Sequence, residues 1–346
     1  MKNKKEKTIG NGVIEASERQ TDEESSVDTD TEADTEEIHP SSFIPHPSSE
    51  TRSGFVAFVG RPNAGKSTLL NHLVGEKIAA VSNKPQTTRT RIQGIITDLR
   101  GQIVFVDTPG VHKPGYRLNK RMMQAVLDAI ESVDVVILLR DASVSTGNGD
   151  RFVLDLVKQA GKKTFLVMNK IDRVRKKDDL LKLIDEYRAE YDFAEFFPIS
   201  ALKGDNTEAL TSKIFEYLPV GPPLFEEDAL TDQTERVLVA EFIREKLLRD
   251  LKAELPFVVA VAVEKWEQRE NGVVAISCVI LVERQSQRAI VLGKGGERLK
   301  AMATSARADI EEMLDQRVFL ELFVKVEPHW RDNERILDML GIERSE

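Results

Sequence analysis

An eight-residue loop limits this chain more than any other feature. Gly60-Arg61-Pro62-Asn63-Ala64-Gly65-Lys66-Ser67 fits G-x-x-x-x-G-K-[ST] at every fixed position. An apolar run, Phe55–Val59, precedes it, and Lys66–Val74 behind it has helical character. In a strand–loop–helix setting the glycines let backbone N–H groups close around phosphate oxygens, and the helix N-terminus adds partial positive charge. Lys66 is placed to reach the outer phosphates, Ser67 offers a hydroxyl to Mg²⁺, and Thr68 follows in the same turn.

The next 150 or so residues keep to that plan. Strands are expected over Ile92–Asp98, Ile103–Asp107, Val133–Arg140, Thr164–Asn169 and Phe196–Ser200. Helices are expected over Leu118–Glu131, Arg151–Ala160, Asp178–Tyr191 and Thr207–Tyr217. Apolar strands alternating with helices predict an α/β fold: a mostly parallel sheet with helices on both faces. Pro219-Val220-Gly221-Pro222-Pro223 ends this regime. Beyond it the order changes to αββααβ: Glu235–Leu251, Phe257–Lys265, Val273–Val282, Gln287–Leu292, Arg298–Leu314 and Val318–Val326. The expected division is a tail at 1–51, a nucleotide-binding domain at 52–220, a linker at 221–232, and an α+β domain at 233–346 with a C-terminal helix.

The phosphate loop does not choose a base; Asn169-Lys170-Ile171-Asp172 does. It ends an apolar strand, where ligands gather in open α/β sheets. A carboxylate there accepts from guanine N1–H and N2–H₂ together, a donor pair that adenine lacks. Ser200-Ala201, ending the next strand, is expected to present backbone N–H to guanine O6. Asp107-Thr108-Pro109-Gly110 ends another: the acid can hold the water shell of Mg²⁺, and the Gly110 N–H can meet a γ-phosphate. In the polar loop Gln86-Thr87-Thr88-Arg89, one threonine can complete the metal coordination, with Thr88 favoured over Thr87.

Charge enters the argument through its distribution. The chain's net charge is −9, but residues 1–50 hold 13 acidic and 5 basic residues, so the remainder is nearly neutral and free to meet a polyanion. The tail's composition predicts disorder. The single cysteine, Cys278, excludes an intramolecular disulfide framework and a cysteine-based zinc cluster, and its apolar surroundings predict packed core. No apolar run approaches membrane-span length, and the lysine-bearing N-terminus has no apolar stretch behind it, so the expected location is the cytoplasm.

A second glycine loop lies at Gly293-Lys294-Gly295-Gly296, between two short helical segments and before Arg298. G-x-x-G loops let a nucleic-acid backbone approach closely. Residues 284–308 carry six basic side chains (Arg284, Arg288, Lys294, Arg298, Lys300, Arg307) against Glu297 alone. A basic stripe of that kind is an electrostatic footprint for nucleic acid. Phe319 and Phe323 alternate with apolar residues and are expected in the core.

Phosphate loop, threonine loop, D-T-P-G, N-K-I-D and S-A, in this order, make the signature of a GTPase. With N-K-P-Q-T-T-R and D-T-P-G-V-H-K-P as they stand here, residues 52–342 closely resemble the Era family of bacterial GTPases carrying a type II KH domain. The resemblance implies a P-loop GTPase domain followed by a KH domain. It also implies GTP and GDP as ligands, Mg²⁺ as cofactor, the 3′ end of 16S rRNA and the 30S subunit as partners, and a monomer touching the inner membrane only peripherally. Lys66, Gly110 and Asn63 would carry the catalytic step, with Asn63 helping to hold a K⁺ ion near the phosphates. Where Ras-like enzymes place a water-orienting glutamine, this chain has Val111, as the family does, and His112 follows. Two rival readings stay open: a plain RNA-binding protein with structural nucleotide, favoured by Val111, and a sister GTPase. A tRNA-modifying sister would carry a cysteine motif at its end, and a double GTPase a second phosphate loop; neither is in this sequence.

Overall fold

The computed structural model describes residues 51–110, 115–252 and 254–342. The acidic tail up to residue 50, and Val111 and His112, lie outside the described residues.

The first half is built from β1 (Arg52–Gly60), α1 (Lys66–Val74), β2 (Ile92–Asp98), β3 (Gly101–Asp107), α2 (Arg117–Ser132), β4 (Val135–Asp141), α3 (Asn148–Ala160), β5 (Lys163–Asn169), α4 (Lys177–Glu190), β6 (Glu195–Pro198) and α5 (Thr207–Tyr217). Its sheet runs β2-β3-β1-β4-β5-β6, antiparallel only at β2–β3. Alternate residues of β1 enter different cores: Val56 and Phe58 pack with Phe105 and Phe165, whereas Ala57 and Val59 pack with Val136 and Leu166. A strand covered on both faces reads as a continuous apolar run, which is why these strands were legible. Because β1 is flanked by β3 on one side and β4 on the other, a crevice opens at the carboxyl ends of the three strands.

The second half contains α6 (Glu235–Asp250), α7 (Leu255–Val258), β7 (Ala260–Gln268), β8 (Val274–Val282), α8 (Gln285–Leu292), α9 (Glu297–Leu314), β9 (Val318–Val326) and α10 (Glu334–Met339). Its three-stranded sheet has the order β7-β8-β9, with β7–β8 antiparallel and β8–β9 parallel. Cys278 sits in this core, and burial pushes its thiol pKa up to about 12.

Three expectations are corrected here. Phe257 and Val258 belong to the short helix α7, and the strand starts at Ala260; Pro256 opens that turn, its missing N–H costing nothing there. The strand expected up to Ser200 ends at Pro198, because the Ser200 N–H turns aside to the Asp205 carbonyl (3.1 Å). Phe319 and Phe323 are 43% and 54% exposed. They occupy the outer face of β9, while Leu320, Leu322 and Val324 take the inner one.

The linker is tied down. The Gln102 amide oxygen accepts from the Leu224 and Phe225 N–H groups, and Ile95 N–H donates to the Leu230 carbonyl (2.9 Å). Helix α6 then lies between the two sheets. Its Leu238 joins a core of the first half, and Val239, Phe242, Ile243 and Leu247 join that of the second. A helix buried on several sides shows little amphipathic contrast.

Candidate functional site

Three oxygen-bearing side chains converge beneath the phosphate loop. Ser67 Oγ donates to Asp107 Oδ2 at 2.6 Å and lies 2.8 Å from Thr88 Oγ1, which is itself 3.2 Å from the same carboxylate oxygen. Ser67 comes from the start of α1, Asp107 from the end of β3, and Thr88 from the loop between α1 and β2. Thr87 turns away: its hydroxyl bonds Ser82 Oγ and the Lys84 carbonyl. Asp107 Oδ1 is buried without a hydrogen-bond partner. An orphaned carboxylate oxygen beside two hydroxyls is a donor set suited to a hard divalent cation such as Mg²⁺.

The charges next to this triad also call for a ligand. Lys66 is buried, and burial lowers its pKa, with Asp107 opposing the shift. Burial likewise raises the pKa of Asp107, opposed by Lys66, Ser67 and Thr88. Phosphate oxygens beside Lys66 and a cation beside Asp107 would restore to both groups the charge that burial disfavours. Thr108 anchors its turn by donating to the Phe58 carbonyl (2.7 Å), and Pro62 of the phosphate loop lies against Gly110, where an added Cβ would sit 3.0 Å from Pro62 Cα. Pro109 lies between them in the same turn.

The loop itself is clamped from both sides. Arg61 donates to the buried Asp150 (2.8 Å), and the Lys170 ammonium bridges the Asn63 carbonyl and Asp141 (2.5 and 2.6 Å). The Asn169 amide reaches across Gly65 to the Ala64 carbonyl (2.9 Å). Gly65 has φ +102°, and a Cβ there would fall 2.2 Å from the Asn169 amide nitrogen. Gly65→Ala is therefore expected to dislodge Asn169 and weaken nucleotide binding by about 100-fold or more, readable by direct titration. At Gly60 a Cβ would meet the Leu139 carbonyl at 2.5 Å.

Beside Asn169 a cavity of about 260 Å³ is lined by Lys170, Asp172, Ala201 and Leu202, and it reaches Gly65 and Thr68. One Asp172 oxygen accepts from Ser200 Oγ at 2.7 Å. Ile171 begins the short 3₁₀ turn that carries Asp172. The Ala201 N–H donates to the Asn169 side chain (2.9 Å) and the Ser200 N–H to Asp205, so neither points into the cavity. Asn63 Nδ2 donates to the Asn83 carbonyl (2.8 Å). Asn63, Gln86 and Lys170 all adopt positive φ, so strain gathers around this crevice.

The second glycine loop joins α8 to α9. Gly293 has φ +74° and ψ −177°, a region open only to glycine, and a Cβ there would lie 2.7 Å from Arg298 Cβ. Gly295 and Gly296 also have positive φ. Lys294 and Lys300 are exposed, whereas Arg298 is pinned to the Ile290 carbonyl (2.7 Å) and Arg288 to that of Val324 (3.1 Å). Gly296 starts the 18-residue α9, whose N-terminal dipole adds to the positive field at this loop.

Sequence reasoning missed the groups that join the two halves. Arg89 and Arg244 bond across the boundary, and Arg121 of α2 pairs with Glu334 and Asp338 of α10. Leu118 and Met122 pack there on Trp330, Leu337 and Ile342. Arg89 stood inside a quoted motif, but nothing local marked its partners, which lie some 170 residues away.

Comparison with known proteins agrees with this geometry. A family model described as 50S ribosome-binding GTPase matches residues 55–170, and a KH domain model matches 254–331. The chain is 49% identical over 292 residues to GTPase Era of Geotalea uraniireducens, covering 84% of this chain and 98% of that one. It is 47% identical to GTPase Era of Lacticaseibacillus paracasei, covering 85% and 97%. Among solved structures, Era bound to MgGDPNP and nucleotides 1506–1542 of 16S ribosomal RNA superposes with TM-score 0.82 at 37% identity, covering 84% and 99%. A variant of Aquifex aeolicus Era bound to GDP and aluminium fluoride gives 0.81 at 37% identity and the same coverage.

Proposed function

The chain belongs to the Era family of GTPases, and on its geometry we propose that it couples a GTP cycle to binding of the 3′ end of 16S rRNA. It hydrolyses GTP to GDP and phosphate. The observation that carries the reading is the meeting of Ser67, Thr88 and Asp107 beside buried Lys66, with Thr88 on a loop bonded to the KH domain. We assign residues 52–220 to the GTPase domain, 221–232 to the linker and 233–346 to the KH domain.

Ser67 and Thr88 would hold Mg²⁺ directly and Asp107 through its water shell; the ion supplies charge neutralisation for the transferred phosphoryl group. Lys66 and the loop N–H groups would hold the β- and γ-phosphates, and the Gly110 N–H would meet the γ-phosphate. Asp172 would select guanine. With valine where Ras-like enzymes carry glutamine, hydrolysis rests on positioning and charge, and its intrinsic rate is slow. The RNA would lie along Gly293–Gly296, about four nucleotides fitting the groove, and the cellular role would be assembly and maturation of the 30S subunit. Among the described residues no helix is long and apolar enough to cross a membrane. The reading places the protein in the cytoplasm as a monomer, with any membrane contact peripheral. Turnover of GTP with and without a 16S 3′-end oligonucleotide tests the reading; absence of both GTP turnover and RNA binding would end it.

K⁺ is the second ion we propose. Its site would draw on Asn63 and the neighbouring Asn83 carbonyl, which now touch each other. Replacing K⁺ by Na⁺ should slow hydrolysis severalfold. Because Asn63 has φ +64°, Asn63→Gly removes the side chain without straining the loop, and it should shrink the K⁺/Na⁺ difference while nucleotide still binds. Equal parent rates in the two salts would remove K⁺ from the mechanism.

A further inference from the structure

The segment around Thr88 and Arg89 is bonded directly to the KH half of the molecule. Arg89, only 5% exposed, donates to the carbonyls of Val259 (2.7 Å), Pro256 (3.1 Å) and Phe257 (3.3 Å). These three oxygens close the α7–β7 turn, and the guanidinium lies over the Trp330 ring, 5.6 Å from its centre. Trp330 in turn donates its ring N–H to the Val258 carbonyl of the same turn (2.9 Å). From α6, Arg244 donates to the Gln86 and Thr87 carbonyls, and the fully buried Glu245 accepts from the Val81 N–H (2.8 Å). The GTPase half holds the start of the loop through Asn71, which bonds Ile78 and Ala79, and the rest through Asn63 to Asn83, Gln86 to Asn119, and the Thr88 hydroxyl itself.

We propose that Arg89 is a positioning residue for GTP hydrolysis: through it the KH domain sets where the Thr88 hydroxyl stands against Ser67 and Asp107. This rests on the reading of Thr88 as a ligand of the metal position. Thr88 and Arg89 are chain neighbours, with Cα atoms about 3.8 Å apart, so a displacement of the α7–β7 turn reaches Thr88 almost undiminished. A guanidinium shared by three carbonyls has a fixed orientation, which a flexible ammonium lacks. Burial lowers the Arg89 pKa to about 9, so the group keeps its charge at neutral pH.

The test uses the full chain and the variants Arg89→Ala, Arg89→Lys and Trp330→Phe. The first readout needs no nucleotide: amide hydrogen exchange over residues 82–91. We expect exchange about tenfold faster in Arg89→Ala, less in Arg89→Lys, and faster also in Trp330→Phe, which removes the ring N–H bond that holds the same turn while keeping an aromatic ring near Arg89. The second is the affinity for a non-hydrolysable GTP analogue against GDP, with Mg²⁺. On the reading of Thr88 as a ligand of the triphosphate-bound metal, Arg89→Ala should weaken the analogue about tenfold and leave GDP within about twofold. The third is turnover, in which kcat should fall more than KM rises. Equal weakening of both nucleotides, or parent-like loop exchange in Arg89→Ala, overturns the proposal. Should Arg89→Ala fail to fold, Arg89→Lys and Trp330→Phe decide it, parent-like loop exchange in both being the overturning result. A parent protein that binds no GTP would instead overturn the family-level reading, which keeps the two failures apart.

Discussion

Asp172→Asn should lose about 10⁴-fold in GTP affinity and gain a preference for xanthosine triphosphate. The Asp172 side chain is 10% exposed and fixed by Ser200, whose hydroxyl donates to one carboxylate oxygen at 2.7 Å. A carboxylate oxygen has a second lone pair, so both oxygens remain able to accept from guanine N1–H and N2–H₂. An asparagine keeps the Ser200 bond through its carbonyl oxygen but turns an NH₂ toward the base. Against guanine N2–H₂ two donors then face each other, each left unpaired where the base packs against the protein. Against xanthine the same NH₂ finds the C2 carbonyl. Because the Ser200 contact survives, the melting midpoint should stay close to the parent's, which separates a specificity effect from unfolding. Titration of both nucleotides into both proteins checks this; unchanged GTP affinity would remove Asp172 from the site.

How much of this was legible depends on the range of the interaction. The phosphate loop, D-T-P-G and N-K-I-D were readable because each is a local conformation with its own residue demands. Gly65 must be glycine since Asn169 crosses its face, and both residues sit in motifs that can be quoted without a structure. Strands β3 and β4 were readable since burial on both faces leaves one chemical choice. Sequence offered both Thr87 and Thr88 for the metal, with Thr88 favoured; in the structure the Thr88 hydroxyl lies 2.8 Å from Ser67 Oγ.

What failed was the non-local part. Phe319 and Phe323 fit the alternation of a strand, but alternation does not say which face is covered, and here the helices cover the other. Ser200 and Ala201 lie at the expected place, yet their N–H groups bond inside the protein, to Asp205 and Asn169. The buried charges Arg89, Arg244 and Glu245 look like ordinary surface residues in sequence; each bonds a partner from the other domain that no local pattern announces. Helix α6 gave no warning, since a helix covered on several sides has no polar face to read.

The largest effect on RNA should come from the middle of the second glycine loop. Gly293 is a poor probe, since any side chain there strains the backbone and strikes Arg298. Lys294 and Gly295 are better: both are exposed, and nothing lies within 4 Å of a Cβ at Gly295. The φ of +59° at Gly295 is one that aspartate tolerates. Lys294→Asp combined with Gly295→Asp moves the local charge by about three units against a polyanion and removes one counterion-releasing contact. Affinity for a 16S 3′-end oligonucleotide should fall about 100-fold at moderate salt, and the salt slope should shrink by about one. Neither residue lines the nucleotide crevice, so intrinsic GTP turnover should match the parent's. Any stimulation of turnover by RNA should disappear, because an effector that no longer binds has no coupling energy to transmit. Filter binding at several salt concentrations, paired with phosphate release, reads both quantities on one preparation. If the double variant binds as tightly as the parent, the RNA does not pass over this loop, and residues 284–308 are a solvated basic face.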